Sequence, residues 1–197
     1  MSIDRRFFCA LTASALVGCS SPTPPAGSAP QGAQPAKDVA PKSSFLARAK
    51  HPSDTIWVAG QPNLDDLKAV KAAGIKWVVN MRAEGEPTGF SDEKATVEGL
   101  GLGYTFIPVA GAAGVTTANA EALKATLQAH EGDKILLHCA SGNRVGALMA
   151  LIAFDEGKTA DEAMAIGKHA GMTALTRVVQ GKLKAKEAAR AKANEIP

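Results

Sequence analysis

The sequence predicts one α/β domain, a mostly parallel central sheet flanked by helices, placed after an export signal and a linker. Three observations carry this. Short apolar runs alternate with stretches of helical character from Thr55 onward. One of those runs, Ile135 to Leu137, ends in His138-Cys139, turns through Ala140, Ser141, Gly142 and Asn143, and enters a strongly apolar helix at Arg144 or Val145. The first 44 residues carry no such alternation and hold an export-type leader followed by a stretch too poor in large apolar side chains to build a core.

From the start of the chain, residues 1–18 read as a signal peptide, with Arg5-Arg6 as the basic region, an apolar stretch from Phe7 to Val17 and small residues before Cys19. That stretch is well short of the roughly twenty residues a spanning helix needs. Leu16-Val17-Gly18-Cys19 resembles a bacterial lipobox, which implies a lipid on Cys19, a membrane-anchored lipoprotein, and a location on the periplasmic or cell-envelope side. Arg5-Arg6-Phe7-Phe8 also hints at twin-arginine export. Residues 19–44 are the lipidated cysteine and a Pro/Ala/Ser-rich linker, whose prolines make a partly extended tether. Residues 45–197 are long enough for one domain with one core.

Within that domain, Thr55 to Ala59 reads as a strand stopped by Gly60-Gln61-Pro62, and Asn63 caps a helix over Leu64 to Ala73 that Gly74 ends. Ile75 to Met81 is a second strand, followed by the loop Arg82 to Ser91 and a short helix from Asp92 to Leu100. Tyr104 to Val109 is a third strand, Gly111 to Thr117 a loop, and Ala118 to His130 a helix. After the strand ending at His138 comes a helix from Val145 to Glu156. Thr159 and Glu162 then make a capping box for another, and Thr173 opens a last long one. Trp57, Trp77, Phe106 and the apolar face of Val145 to Phe154 are expected in the core.

Composition narrows the function classes. Formal charge is +3, falling to +2 without the leader, and most of it comes from Lys182, Lys184, Lys186, Arg190 and Lys192 near the C-terminus. That alanine-rich segment lacks aromatic residues, so it reads as a solvated helix face and not as a nucleic-acid surface. Of three cysteines, Cys9 leaves with the leader and Cys19 is assigned to lipidation, so Cys139 alone remains and no disulfide framework exists. His51, His130 and His169 have no metal-ligand spacing, so neither a metal nor another cofactor is expected.

The strand, loop and helix around Cys139 carry the chemistry. Successive backbone N–H groups in such a loop face one concavity, and the following helix N-terminus adds positive charge, so the loop suits an anion. The phosphate-sized binding set is Ala140, Ser141, Gly142, Asn143 and Arg144. The same field favours thiolate at Cys139, a candidate nucleophile, and Arg144 can hold two oxygens of a phosphoryl group on its planar fork.

His138-Cys139 followed by Gly142 and Arg144 resembles the protein-tyrosine-phosphatase superfamily, in which cysteine attacks phosphorus and arginine clamps the phosphate. That superfamily places five residues between Cys and Arg, and here four intervene. The shorter C-x-x-G-x-R form resembles the loop of rhodanese sulfurtransferases. The flanks, Val58 to Glu86 and Tyr104 to Thr116, resemble a bacterial group of β-lactamase-hydrolase-like phosphatase domains, similar in fold to dual-specificity phosphatases and carrying the short loop. The resemblance spans roughly residues 55–170 and implies a tyrosine-phosphatase-like fold, no cofactor, and a phosphate monoester or other small oxyanion as partner.

A phosphatase reaction needs a proton donor for the departing oxygen. In the family this is an Asp on the loop that here runs from Ala110 to Asn119, which contains no carboxylate. Glu84 and Glu86 on the neighbouring loop are the candidates, with Asp92 or Glu93 reading as helix-start residues or as further acids. His138 is expected to position the loop, and Gln61 either reaches the site or only shapes its turn. Val145 stands where the family usually has Ser or Thr after the arginine. Three readings follow: a cysteine phosphatase working through phosphocysteine, a sulfurtransferase carrying a persulfide on Cys139, and a non-catalytic binder of an anion or phosphorylated partner.

Overall fold

Strand β2 (Ile56–Ala59), β3 (Trp77–Asn80), β4 (Gly103–Phe106) and β5 (Ile135–His138) are short runs rich in β-branched and aromatic or leucine side chains, each closed by a polar or turn residue. They pair in parallel, and an additional edge strand, β1 (Lys50–Ser53), pairs antiparallel with β2, giving the order β1-β2-β5-β3-β4. The computed structural model describes residues 44–194. These fall within Asp38–Pro197, one of two units into which the chain divides. The leader, Cys19 and the linker up to residue 43 lie outside the described residues.

β1 is absent from the sequence expectation, because Lys-His-Pro-Ser has no alternating apolar pattern and carries a proline. Its place at the sheet edge is where Pro is tolerated. Helix α1 (Ser44–Arg48) precedes it, α2 (Leu64–Ala72) follows β2, and α3 (Glu93–Gly99) leads into β4. These three pack on one sheet face, where Leu67, Val70, Val97 and Leu102 meet Val78 and Leu136. Helices α4 (Thr117–Ala129), α5 (Asn143–Asp155), α6 (Ala160–His169) and α7 (Thr176–Asn194) cover the other face, against Val58, Val79 and Leu137. The strands alternate cleanly between the two cores, as a sheet buried on both sides requires.

Helix α5 lies deepest. Val145, Leu148, Leu151 and Phe154 are buried, each contributing about 1.5–3 kcal/mol of hydrophobic burial. Its crossing with α6 depends on two small residues, since a Cβ on Gly146 would stand 2.4 Å from the Gly167 carbonyl oxygen and one on Gly167 would stand 2.7 Å from that of Gly146. The long expected strand Tyr104 to Val109 is shorter than read, and Phe106, expected in the core, is 40% exposed at the strand end. Trp77 is half-buried, stacks on His130 and donates from Nε1 to Thr105 at 2.8 Å, which explains an indole at the sheet margin. α5 begins at Asn143, just ahead of the expected start at Arg144 or Val145.

In register, Ala59, His138, Asn80 and Phe106 form one row across four parallel strands. The turns that leave this row, at Gly60, Cys139, Met81 and Ile107, therefore share one edge of the sheet. In an open α/β sheet this carboxyl edge is where ligands bind.

Candidate active site

The Cys139–Arg144 loop is shaped by Gly142, which takes φ +83° as the cap of α5, a conformation L side chains rarely adopt. A backbone bridge between Gly60 and Ser141 ties one side of the loop to the end of β2. On the other side, Asn143 Oδ1 accepts from Thr173 N–H at 2.8 Å and Leu175 N–H at 3.3 Å, anchoring the loop to the α6–α7 connection. Asn143 was expected among the anion-binding residues. Its side chain is committed to this anchor, so only its backbone N–H, one of the unpaired donors of a helix start, is suited to an anion.

Cys139 is 1% exposed at the floor of the loop, and the Gly142 N–H donates to its Sγ at 3.1 Å. The loop backbone therefore folds over the sulfur and aims a donor at it. Among the described residues it is the one free cysteine. Its neighbours in the core include Val145, whose buried side chain supplies no hydroxyl near the loop.

Arg144 leaves the loop and meets Glu86 end-on, with Nη1–Oε1 at 2.8 Å and Nη2–Oε2 at 2.9 Å, while Nη1 also donates to the Met81 carbonyl at 3.2 Å. The end of the guanidinium fork is thereby locked. Its side edge, formed by Nε and the second Nη2 hydrogen, is left for a ligand, the bidentate geometry that suits phosphoryl oxygens. Glu86 also accepts from the Ala83 N–H at 3.1 Å and lies 3.3 Å from Arg82 Nη2. The hydrogen bond from Arg144 outweighs partial burial and holds the Glu86 carboxyl below its usual range.

This placement corrects one expectation. Glu86, paired with Glu84 as a candidate proton donor, is an ionised acceptor serving Arg144, and a group held in that state does not supply a proton at neutral pH. Glu84 is exposed on the same loop, with no hydrogen bond or ion pair among the described residues, and lines a cavity of about 400 Å³ with Arg82, Phe90, Tyr104 and Phe106. Asp92 is the cap of α3, accepting from Ala95 N–H at 2.9 Å. The Ala110 to Thr117 loop is largely exposed backbone and small side chains, so it brings no acid to the edge.

His138 is fully buried, and its Nε2 lies 2.9 Å from Oε1 of Glu93, itself buried at the start of α3. Gln61 donates to its neighbour Pro62 and borders a cavity of about 270 Å³ shared with Arg48 and Ala140, its Oε1 buried without a partner. Sequence reasoning missed the Arg82–Glu86–Arg144 cluster and the Glu93 contact. The Arg-x-x-x-Glu spacing after a strand was a visible signal for the first. Nothing in the sequence distinguished a buried Glu93 from an ordinary first-turn acid. Among the described residues no set of three or more His, Cys, Asp or Glu is placed to hold a metal, and no helix is long and apolar enough to cross a membrane.

Residues 50–154 match the family model described as β-lactamase hydrolase-like protein, phosphatase-like domain. The chain belongs to this family. The match runs from β1 through α5 and so contains the whole sheet and the Cys139 loop. A β-lactamase hydrolase-like protein of Xylella fastidiosa is 34% identical over 131 residues, 64% of this chain and 30% of that protein, and one of Agrobacterium fabrum is 32% identical over 102 residues, 50% and 23%. The chain thus spans about a third or less of the curated relatives it matches. Among solved structures, a DUF442 protein of Shewanella putrefaciens superposes with TM-score 0.54 at 21% identity, covering 70% of this chain and 91% of that one. P. aeruginosa TpbA in complex with pTyr gives 0.51 at 20% identity, covering 71% and 89%. At such identities the likeness is one of fold, and the fold of this phosphatase-like domain is that of tyrosine and dual-specificity phosphatases.

Proposed function

We propose that this domain is a cysteine-based phosphatase acting on phosphate monoesters of the protein tyrosine or dual-specificity type. The observation that carries the reading is the pairing of a sulfur held by the Gly142 N–H with an arginine whose end fork is locked by Glu86 and whose side edge remains for a ligand. The Cys139 thiolate attacks phosphorus, the ester oxygen leaves and takes a proton, and phosphocysteine forms. Water then attacks phosphorus, gives up a proton and releases phosphate and the thiolate. Arg144 and the loop N–H groups bind the equatorial oxygens and stabilise charge in both steps. Glu84 is the proton donor in this scheme, as the carboxylate of the Arg82 to Ser91 loop that has no other partner among the described residues. Membership of a phosphatase-like family and the pTyr bound to TpbA support the substrate class.

Turnover of an aryl phosphate that disappears in Cys139→Ser is the expected result. An unchanged rate in that variant would overturn the mechanism. A second reading, persulfide transfer, draws on the four-residue spacing and on Val145 in place of a hydroxyl. Thiocyanate formed from thiosulfate and cyanide, with no phosphate release, would favour it. We also propose that the domain works outside the cytoplasm, tethered through a lipid on Cys19. Mass spectrometry of the mature N-terminus is expected to find acylated Cys19, and a chain still beginning at Met1 would contradict the tether.

A further inference from the structure

The two edges of the sheet are finished differently. β1 carries Lys50 and Pro52, and its register with β2 shifts between Lys50 and Ser53. Charge, proline and an irregular register are devices that keep an edge strand from pairing again. β4 has none of them, and β3 is its one neighbour in the sheet. Gly103 N–H donates to the Lys76 carbonyl at 2.8 Å and Ile107 N–H to that of Asn80 at 2.9 Å, so these groups face β3. Backbone groups alternate in direction along a strand, so those of Tyr104 and Phe106 face outward, where the sheet has no further strand among the described residues.

The side chains beside this open edge point to what would pair with it. Tyr104 and Phe106 are two positions apart and share a face of the strand. With Phe90 they line the cavity of about 400 Å³ under the Arg82–Ser91 loop. Phe106 and Leu64 are the large hydrophobic side chains left exposed among the described residues. Of the charged groups on the cavity rim, Arg82 pairs with Glu86 and Lys94 with Glu98, which leaves the carboxylates of Glu84 and Asp92 without a cation. An apolar segment bounded by basic side chains complements that rim.

The edge also lies within reach of Cys139. Phe106, Asn80 and His138 stand in one row, with β3 between β4 and β5. Strands are spaced about 4.8 Å apart, so a strand added outside β4 would run about 14 Å from β5, a span that about four extended residues cover. We propose that the outer edge of β4 is a docking site for an extended segment of a phosphorylated protein substrate, which pairs with the Tyr104 and Phe106 backbone and lays alternate apolar side chains over Phe106 and Phe90. Main-chain hydrogen bonds supply affinity in this mode, and the pockets for alternate side chains supply selectivity. The inference rests on the phosphatase reading for its substrate, and its test separates the two.

The probe is a synthetic peptide of roughly twelve residues, alternating valine and threonine between lysines, with a phosphotyrosine near one end. Binding is read on the chain carrying Cys139→Ser, so that turnover does not intervene. The expected result has a period of two: N-methylation of one alternate set of peptide residues weakens binding about tenfold or more, and methylation of the other set does not. Phe106→Pro removes an outward N–H, spares the bonds to β3, and should weaken the peptide similarly. With Cys139 present, Phe106→Pro should lower kcat/KM on the peptide about tenfold and leave a small aryl phosphate unchanged. Equal losses from both methylated sets, or none from either, would overturn the docking edge. A dimer that the peptide does not displace and that Phe106→Pro dissolves would overturn it as well, giving the edge to a second copy of the chain. Should Phe106→Pro fail to fold, the two methylated sets decide in the chain with Phe106 intact. Binding with the period of two but no phosphate release from either substrate would uphold the edge and remove the phosphatase reading. Release from the aryl phosphate with no effect of peptide methylation would do the reverse.

Discussion

The Cys139–Arg144 loop and the Ala110–Thr117 loop leave the same edge of one sheet and are built in opposite ways. In the first, every part is held: the sulfur by Gly142, the arginine by Glu86 and Met81, the far end by the anchor from Asn143. Helix α5, fully packed, stands behind it. The second is exposed, made of small residues, and turned by its own backbone and by Asn119, which donates to the Pro108 and Gly114 carbonyls. The contrast separates two tasks. In the proposed mechanism, anion capture and nucleophilic attack are preorganised, whereas proton delivery is left to the neighbouring Arg82–Ser91 loop. Esters with good leaving groups, which need little help from an acid, should be the better substrates.

Four substitutions sharpen or break that contrast, in falling order of expected effect. Cys139→Ser removes the attacking atom and should lower turnover of an aryl phosphate by roughly 10⁴-fold or more while leaving thermal stability near that of the parent. Arg144→Lys keeps the charge but loses the fork, and about 10²- to 10³-fold in kcat/KM is expected. Glu84→Gln should cost up to about 10²-fold on an alkyl phosphate and almost nothing on an activated aryl phosphate. Equal losses on both would mean that Glu84 is not the proton donor.

Glu86→Gln loosens Arg144 without touching substrate, so about tenfold in kcat/KM is expected. It also carries a pH signature. The carboxyl of Glu86 is lower in the folded chain than in the unfolded one. Its stabilising contribution is thus present above the ordinary carboxylate range, near about 4.3, and is lost as pH falls through the lowered folded value. The melting-temperature gap between the domain and Glu86→Gln should narrow below that range. A gap that widens on acidification would contradict the Arg144 pairing.

The elements of the fold were readable because their signals are local: Asn63 and Thr159 cap their helices with capping boxes, and Ile135 to Leu137 is an unbroken apolar run that closes in His138, just before Cys139. β1 was not readable, because its pairing with β2 is decided by the sheet edge and not by its own side chains. Cys139 and Arg144, the proposed nucleophile and its arginine, are paired by spacing within six residues. Spacing does not give the roles of Glu86 and Glu93. Residue identity marks both as acids, but whether an acid donates a proton, clamps an arginine or backs a histidine depends on partners 58 and 45 positions away in the chain, and only packing supplies those.

The central claim is that Cys139 takes a phosphoryl group. Rapid-quench intact mass spectrometry of the chain after mixing with a fast aryl phosphate tests it directly. A phosphate-mass addition that maps to Cys139 and is absent in Cys139→Ser is the predicted result. Steady release of phosphate by Cys139→Ser, or a sulfur-mass addition from thiosulfate with none from the phosphate ester, would contradict it.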